Sequence, residues 1–304
     1  MKAMLLREYG GPEKLDYVTD IPDPQIGDDE MLVVVTAASI NPIDYKIRNG
    51  SAAARFPQTF PTILGRDLSG IVRAIGKNVR TFKPGDRVLA FTNHTFAELV
   101  AVKENEVAHL PDGVDIVKAA ALPLAVLTGD QLVRRAAKVQ PGQTVLVTGA
   151  LGSVGRAAVH SAKKLGAYVI AGVRKHSLDA VKDIEADAAV AMDDDEAIAA
   201  LGFVDAIADT VGGAATTKLL SKVKEGGIVG TVVTPPPDGS LHTSLEMNLI
   251  RTQPDASKLR EFADDVRDGK FDLPIDRMIP LEDVAAGLTA VEKGGIGKVV
   301  VLVL

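Results

Sequence analysis

Residues 31–40, MLVVVTAASI, run apolar and β-branched without a charged break, the pattern of a strand covered on both faces. LSGIVRAIG (68–76), DRVLAFT (86–92) and TFAELVAV (95–102) repeat it in shorter form. Turn-forming residues punctuate the region: Pro22 and Pro24, Gly76 to Asn78, Pro84-Gly85-Asp86 and Pro111-Asp112-Gly113. Short strands at this spacing predict a barrel-like β-domain. Near residue 115 the period lengthens. Residues 115–139 are apolar at helical spacing and interrupted at Pro123, which predicts two helices. Strands at 144–150, 168–174, 187–192, 204–211 and 226–233 then alternate with helices at 153–166, 177–184, 195–201 and 214–223. That order predicts right-handed βαβ units on a parallel sheet.

The remainder is more mixed. TPPPDGS (234–240) reads as a loop, either a surface connection or a rim of an active site. TSLEMNL (243–249) alternates and reads as an edge strand, open to pairing with a second copy of the chain. DASKLREFADDVRDGK (255–270) is an amphipathic helix with Asp255 as its cap. Residues 274–304 read strand, helix, strand. DDDE (193–196) reads as a solvated loop and helix start, where acids suit the helix dipole.

Composition narrows the partners. The net charge of −6 argues against nucleic acid or an anionic membrane surface. With no cysteine there is no disulfide framework, thiolate metal site or cysteine nucleophile. The N-terminal MKAMLLREYG lacks the apolar run of a secretory signal, and no stretch of about 18 apolar residues predicts a membrane span. A cytoplasmic location is the expectation.

The chemistry starts at VTGALGSVGRAAVHSAKKLGA (147–167), where a strand runs through a glycine-rich turn into a helix. Gly149, Ala150, Gly152, Ser153, Val154 and Gly155 form a candidate dinucleotide loop. Gly152 would let the backbone approach a pyrophosphate, and Gly155 would let the helix pack against the strand. The helix N-terminus would offer its unpaired N–H groups. Ala150 replaces the first glycine of the usual pattern and needs a negative φ. About 20 residues on, an NAD site carries an acid that grips the ribose 2′-hydroxyl. Here the chain reads AGVRKHS (171–177). Gly172 leaves room, and Arg174, Lys175 and His176 supply positive charge for a 2′-phosphate. NADP(H) is therefore the expected cofactor. A P-loop pattern is absent. No tyrosine has a lysine four residues on, which excludes Tyr-x-x-x-Lys hydride chemistry.

With these pieces in order, the chain resembles the medium-chain dehydrogenase/reductase superfamily, in its zinc-independent NADPH:quinone oxidoreductase branch. The resemblance is carried by ASINPIDYKIRNG (38–50), FPTILGRDLSGIV (60–72), FKPGDRVLAF (82–91), FAELVAV (96–102), ALPLAVLTGDQL (121–132), VLVTGALGSVG (145–155), DTVGG (209–213) and GKVVVLV (297–303). The A-x-G-x-V-G loop is typical of that branch, which accounts for Ala150. The resemblance implies an α/β protein: a GroES-like β-barrel catalytic domain (1–122 and 272–304) and a Rossmann doubly wound parallel-sheet domain (123–271). Zinc-dependent relatives place a Cys in the first of these segments and Gly-His-Glu in the second. Here they read Asn41-Pro42-Ile43-Asp44 and Gly65-Arg66-Asp67. The five histidines show no ligand spacing, so no metal site is expected, and each histidine reads as a surface or capping residue.

Without a Lewis acid, hydride must go to an already activated acceptor, a quinone or an α,β-unsaturated carbonyl. The resemblance places Asn41 and Asp44 near the nicotinamide. Asn41 could orient substrate or cofactor, or simply turn the chain before Pro42; Asp44 could order the loop. Tyr45 is a candidate proton donor unless strand alternation turns it outward. Thr128 matches a cofactor-contacting threonine, or bonds its own helix backbone. Gly212, Thr231 and Val233 stand at strand ends where the nicotinamide would lie. Some quinone reductases of this branch carry tyrosines where this chain has Lys46 and Ala52. That implies a wider apolar pocket, with Phe56, Phe60 and Phe91 as liners or as core. Glu185 replaces the family's usual glycine. Expected partners are a small electrophilic substrate and a second copy through the edge strand. The alternative is a non-catalytic NADPH-binding redox sensor or structural protein.

Overall fold

The computed structural model describes residues 1–303; Leu304, the end of the expected last strand, lies outside the described residues. The chain forms two compact units, Met1–Leu124 with Pro254–Leu304 and Ala125–Gln253.

The first unit opens with β1 (Ala3–Leu6), β2 (Leu15–Val18), β3 (Glu30–Ile40), helix α1 (Pro42–Arg48), β4 (Thr62–Ile63), β5 (Asp67–Ile75), β6 (Arg87–Phe91), β7 (Leu99–Lys103) and β8 (Val107–His109). β3 is the organiser. Its alternate residues Met31, Val33, Val35 and Ala37 are buried, and from Ala37 to Ile40 every residue is. The change of pattern follows its pairing. β5 runs antiparallel along one edge of β3, while β7 pairs with its first half on the other edge. TFAELVAV therefore becomes a strand only from Leu99, the register at which β3 Val34 is available to it. α1 starts where extended Asn41 meets Pro42 at the first helical position, with Asp44 in the first turn. Tyr45 thus lies on a helix, where strand alternation does not govern it.

Helices α2 (Ile116–Ala119) and α3 (Pro123–Gln131) are divided at Pro123, as the sequence predicts. The second unit then builds β9 (Thr144–Thr148), α4 (Ser153–Lys164), β10 (Tyr168–Val173), β11 (Ala188–Ala191), α5 (Asp195–Ala200), β12 (Val204–Asp209), α6 (Gly213–Thr217), β13 (Val223–Thr231) and β14 (Glu246–Leu249). All pairings are parallel, in the order β11-β10-β9-β12-β13-β14. This is the doubly wound arrangement, with its topological switch between β9 and β12. β14 is one edge strand and β11 the other. The segment expected as a helix over 177–184 is a 3-10 helix over Lys175–Asp183. Its inward residues Leu178 and Val181, with Ile184 just after its end, recur every third position, the period at which 3-10 side chains eclipse. The helix after DTVGG likewise tightens to 3-10 geometry from Lys218.

The chain returns to the first unit through α7 (Ala256–Arg267), β15 (Ile275–Pro280), α8 (Val284–Lys293) and β16 (Lys298–Leu302). Asp255 caps α7, its carboxylate accepting the Lys258 N–H. α7 belongs to this unit, although 123–271 was the expected extent of the second domain; it packs against β8 and buries Leu259, Phe262 and Ala263. β16 pairs with the second half of β3, and β15 runs parallel to β16. Among the described residues no helix is long and apolar enough to cross a membrane.

Candidate cofactor and active site

The glycine loop connects β9 to α4. Gly149 sits at φ +61°, whereas Ala150 keeps a negative φ and is fully buried, its N–H donating to Gly172 O at 3.3 Å. The first position of the usual fingerprint therefore needs no glycine here. Gly155 does need to be glycine. A Cβ there would collide with the carbonyl oxygen of Gly149 and lie 2.8 Å from Ala150 Cα. At Gly152 a Cβ would meet only Gly149 O, at 3.3 Å. α4 carries no acid in its first turn. Its leading N–H groups, on Ser153, Val154 and Gly155, have no intrahelical acceptor by the geometry of a helix start. The loop fits an anion cradle.

Beside it lies a polar hub with no single-motif signature in the sequence. Asp209, at the end of β12, is fully buried. Its Oδ1 accepts from Thr148 Oγ1 (2.8 Å), Thr216 Oγ1 (2.6 Å) and the N–H groups of Val211 and Gly212. Its Oδ2 accepts from Thr231 Oγ1 at 2.6 Å. Thr210 doubles the link, donating from N–H to Thr148 Oγ1 and from Oγ1 to Thr148 O. One carboxylate thus joins the ends of β9, β12 and β13 and holds Gly212 at φ +69°. Thr231 is fully buried and its hydroxyl is used within the hub, also accepting the Val233 N–H. Its side chain is bonded to Asp209, at the strand end where the sequence places the nicotinamide. Val233 packs where a Cβ on Gly212 would point. Thr128 Oγ1 bonds Thr252 Oγ1 at 2.8 Å, not its own helix backbone. Thr148 and Asp209 fall in two of the segments that carry the family resemblance, VLVTGALGSVG and DTVGG, but nothing local shows that they meet.

At the end of β10, Arg174, Lys175 and His176 are all exposed. Gly172 does not leave open room: a Cβ there would stand 2.8 Å from Met192 Sδ. Its lack of a side chain admits Met192. Lys175 is engaged, its ammonium to Asp194 at 2.7 Å and its N–H to Asp193 at 2.7 Å.

In the first unit, the segments that begin α1 and β5 meet in a buried polar cluster. Asp67 Oδ2 accepts from Asn41 Nδ2 (2.7 Å) and Ser39 Oγ (2.6 Å), and Oδ1 accepts the Leu124 N–H (2.6 Å). The Lys298 ammonium, from the start of β16, donates to Asn41 Oδ1 at 2.7 Å and lies 3.4 Å from Asp67 Oδ2. Both ends of the Asn41 amide are therefore occupied, and its orientation is fixed. Burial pushes the Lys298 ammonium pKa down, and Asp67 and Asp44 pull it back up. Arg66 lies over the rings of Phe91 and Phe56, at 5.0 and 5.2 Å. Phe60 packs edge-on to Tyr9. Tyr45 is half-buried on α1; burial, then Glu292, raises its phenol pKa above the usual value and makes it a weaker acid.

Asp44 is wholly buried. Its Oδ2 accepts the Asn41 N–H at 2.8 Å, and among the described residues its Oδ1 has no partner. Desolvation raises its pKa from 3.8 to about 7; Asp67 adds to the rise, against the Asn41 N–H, Arg66 and Lys298. Between these values the folded chain holds a proton that the unfolded chain has released. Asp44 therefore supports folding fully below about pH 4, and that support is lost as pH climbs through about 7. Asp44→Asn, which mimics the protonated acid, should gain on the wild type by up to about 4 kcal/mol between these limits. Urea unfolding at about pH 5 and about pH 8 measures the difference, and a pH-independent gap between the two proteins would refute the assignment.

A family model described as alcohol dehydrogenase GroES-like domain matches residues 27–112, and one described as zinc-binding dehydrogenase matches residues 184–301. The chain is 31% identical to the NAD(P)H oxidoreductase RTN4IP1, mitochondrial, of Mus musculus, over 100% of this chain and 89% of that protein. It is 32% identical to the NADPH-dependent alkenal/one oxidoreductase, chloroplastic, of Arabidopsis thaliana, over 78% of this chain and 64% of that protein. Among solved structures, the quinone oxidoreductase from Coxiella burnetii superposes with a TM-score of 0.90 at 30% identity, covering 100% of this chain and 99% of that one.

Proposed function

The chain belongs to the medium-chain dehydrogenase/reductase superfamily, and from that premise we propose that it is an NADPH-dependent, zinc-independent reductase of quinones or α,β-unsaturated carbonyls. The observation that carries this reading is the Lys298–Asn41–Asp67 cluster. It lies where the segments that hold a Cys and a His in zinc-dependent relatives meet. Arg66 stands in the histidine's place, and a lysine ammonium touches the asparagine. Two cations and no thiolate do not fit a divalent metal. Among the described residues, no three His, Cys, Asp or Glu side chains gather as ligands. A carbonyl polarised by neither a metal nor a general acid accepts hydride readily only if it is conjugated or quinoid.

The glycine loop fits the cofactor. Gly152, Ser153 and Val154 would hold the pyrophosphate on the α4 N-terminus, with Gly149, Ala150 and Gly155 keeping the loop against β9 and β10. Arg174, Lys175 and His176 would meet the 2′-phosphate beside Gly172. Thr128, Gly212 and Val233, braced by Asp209 and Thr231, would border the nicotinamide end. When bound, the reduced nicotinamide supplies the hydride. The protein's part is to orient the acceptor and exclude water. Asn41 and Asp44 act here as a rigid frame, and the proton that completes reduction comes from solvent rather than from Tyr45, whose raised pKa suits it poorly. The open edge of β14 supports a homodimer.

Nicotinamide oxidation followed by absorbance, with benzoquinone, phenanthrenequinone, an alkenal, an enone and a plain aldehyde, tests the reading. Turnover on quinones or enones but not on the plain aldehyde is expected, faster with NADPH than with NADH. No turnover on any acceptor, with NADPH still raising the melting temperature, would favour the non-catalytic binding protein.

A further inference from the structure

The three bases at the end of β10 are not equally available. Arg174 and His176 are exposed, and among the described residues their side chains form no hydrogen bond or ion pair. Lys175 is held by the acids that follow β11. Its ammonium is 2.7 Å from Asp194 Oδ2, and its N–H donates to Asp193 Oδ1. Asp194 cannot follow the lysine elsewhere, because it is the cap of α5, its Oδ1 accepting the N–H groups of Glu196 and Ala197. Asp195, the next acid, is taken by Lys218 at 2.7 Å. The lysine side chain is thus tied to a fixed carboxylate.

We infer that Asp194 sets the nucleotide preference of this site: it competes with a 2′-phosphate for Lys175, and so narrows the discrimination between NADPH and NADH. The inference rests on the reading above, in which residues 174–176 face the ribose 2′ position. A 2′-phosphate would meet Lys175 only by breaking or sharing the pair. NADH, with an uncharged 2′-hydroxyl, meets neither obstacle. Both pKa values move as a formed ion pair requires, Lys175 up and Asp194 down, chiefly through their mutual hydrogen bond. Arg174 is left as the phosphate's main donor.

Asp194→Asn removes the charge and keeps the cap, since asparagine caps a helix as well as aspartate does. Asp194→Ser is the second, smaller capping replacement. Dissociation constants for NADPH and NADH, measured by fluorescence titration on the full chain, should show NADPH bound about three- to fivefold more tightly by Asp194→Asn. NADH should change less than about 1.5-fold, and the gain should shrink in high salt. It should also vanish when Lys175→Ala is added, which a general loosening of α5 would not produce. Unchanged NADPH affinity in Asp194→Asn and Asp194→Ser, with Lys175→Ala still weakening NADPH, would overturn the inference and leave the cofactor reading standing. If neither Lys175→Ala nor Arg174→Ala alters NADPH against NADH, the 2′-phosphate reading itself has failed and the inference falls with it.

Discussion

Lys298→Met is expected to destabilise the protein by about 3–5 kcal/mol, because it strips a hydrogen-bonded cation from a buried carboxylate. Lys298 is 5% exposed and Asp67 fully buried. Methionine keeps most of the aliphatic stem, so packing changes little, while the charge is lost. Asp67 would retain donors from Ser39, Asn41 and Leu124, but a buried anion with neutral donors alone remains poorly compensated. Asn41 Oδ1 would lose the donor that Lys298 supplies. The cluster ties together the starts of β5 and β16 and the end of β3, so the loss is felt across the sheet. Urea unfolding gives the number. Asp67→Asn in the same chain should recover part of it, because the two changes together remove the charge imbalance that Lys298→Met alone creates. A loss within about 0.5 kcal/mol for Lys298→Met, or strict additivity with Asp67→Asn, would show that the pair carries no net electrostatic weight.

That cluster also marks where reading the sequence stops. β3, the βαβ alternation, the Asp255 cap and the edge strand were legible because each is written in a local period or a local cap. The glycine loop was legible because strand, turn and helix follow one another within a single stretch. Lys298 was not, since its partners lie 257 and 231 residues away and GKVVVLV alone shows only an apolar strand with one base at its start. The same holds for Asp209, whose five donors come from three strand ends and a short helix. The acids at 193–196 read correctly as a helix start, yet nothing local says that they face Lys175, because parallel β10 and β11 bring the two together. The α7 pattern predicts a helix with one apolar face, but not which sheet covers it. Tyr45 is a different kind of miss. Asn41, Pro42 and Asp44 carry a helix-start signature that strand reasoning overlooked.

A single methyl group at Gly155 should weaken NADPH binding by about 100-fold and lower the stability of the nucleotide-free protein by about 1–3 kcal/mol. The added Cβ would collide with Gly149 O and stand 2.8 Å from Ala150 Cα. Both obstacles are backbone, so no rotamer relieves them. The start of α4 must withdraw from β9, or Gly149, already at φ +61° with Thr210 Oγ1 in the path of any Cβ of its own, must give way. Either movement shifts the N–H groups of Ser153 and Val154. A displacement of about 1 Å is enough to spoil charge-assisted contacts to a pyrophosphate. Gly152 offers the contrast. It is exposed, at φ −74°, and a Cβ there meets only Gly149 O at 3.3 Å. Gly152→Val should therefore melt near the wild-type temperature and lose affinity only because its side chain occupies the space a pyrophosphate needs. Melting curves with and without NADPH separate the two variants. Gly155→Ala should shift both curves. Gly152→Val should shift only the second. If Gly155→Ala binds and melts like the wild type, the close approach of α4 to β9 is not what shapes the cradle. If Gly152→Val binds normally, the nucleotide does not enter over this loop.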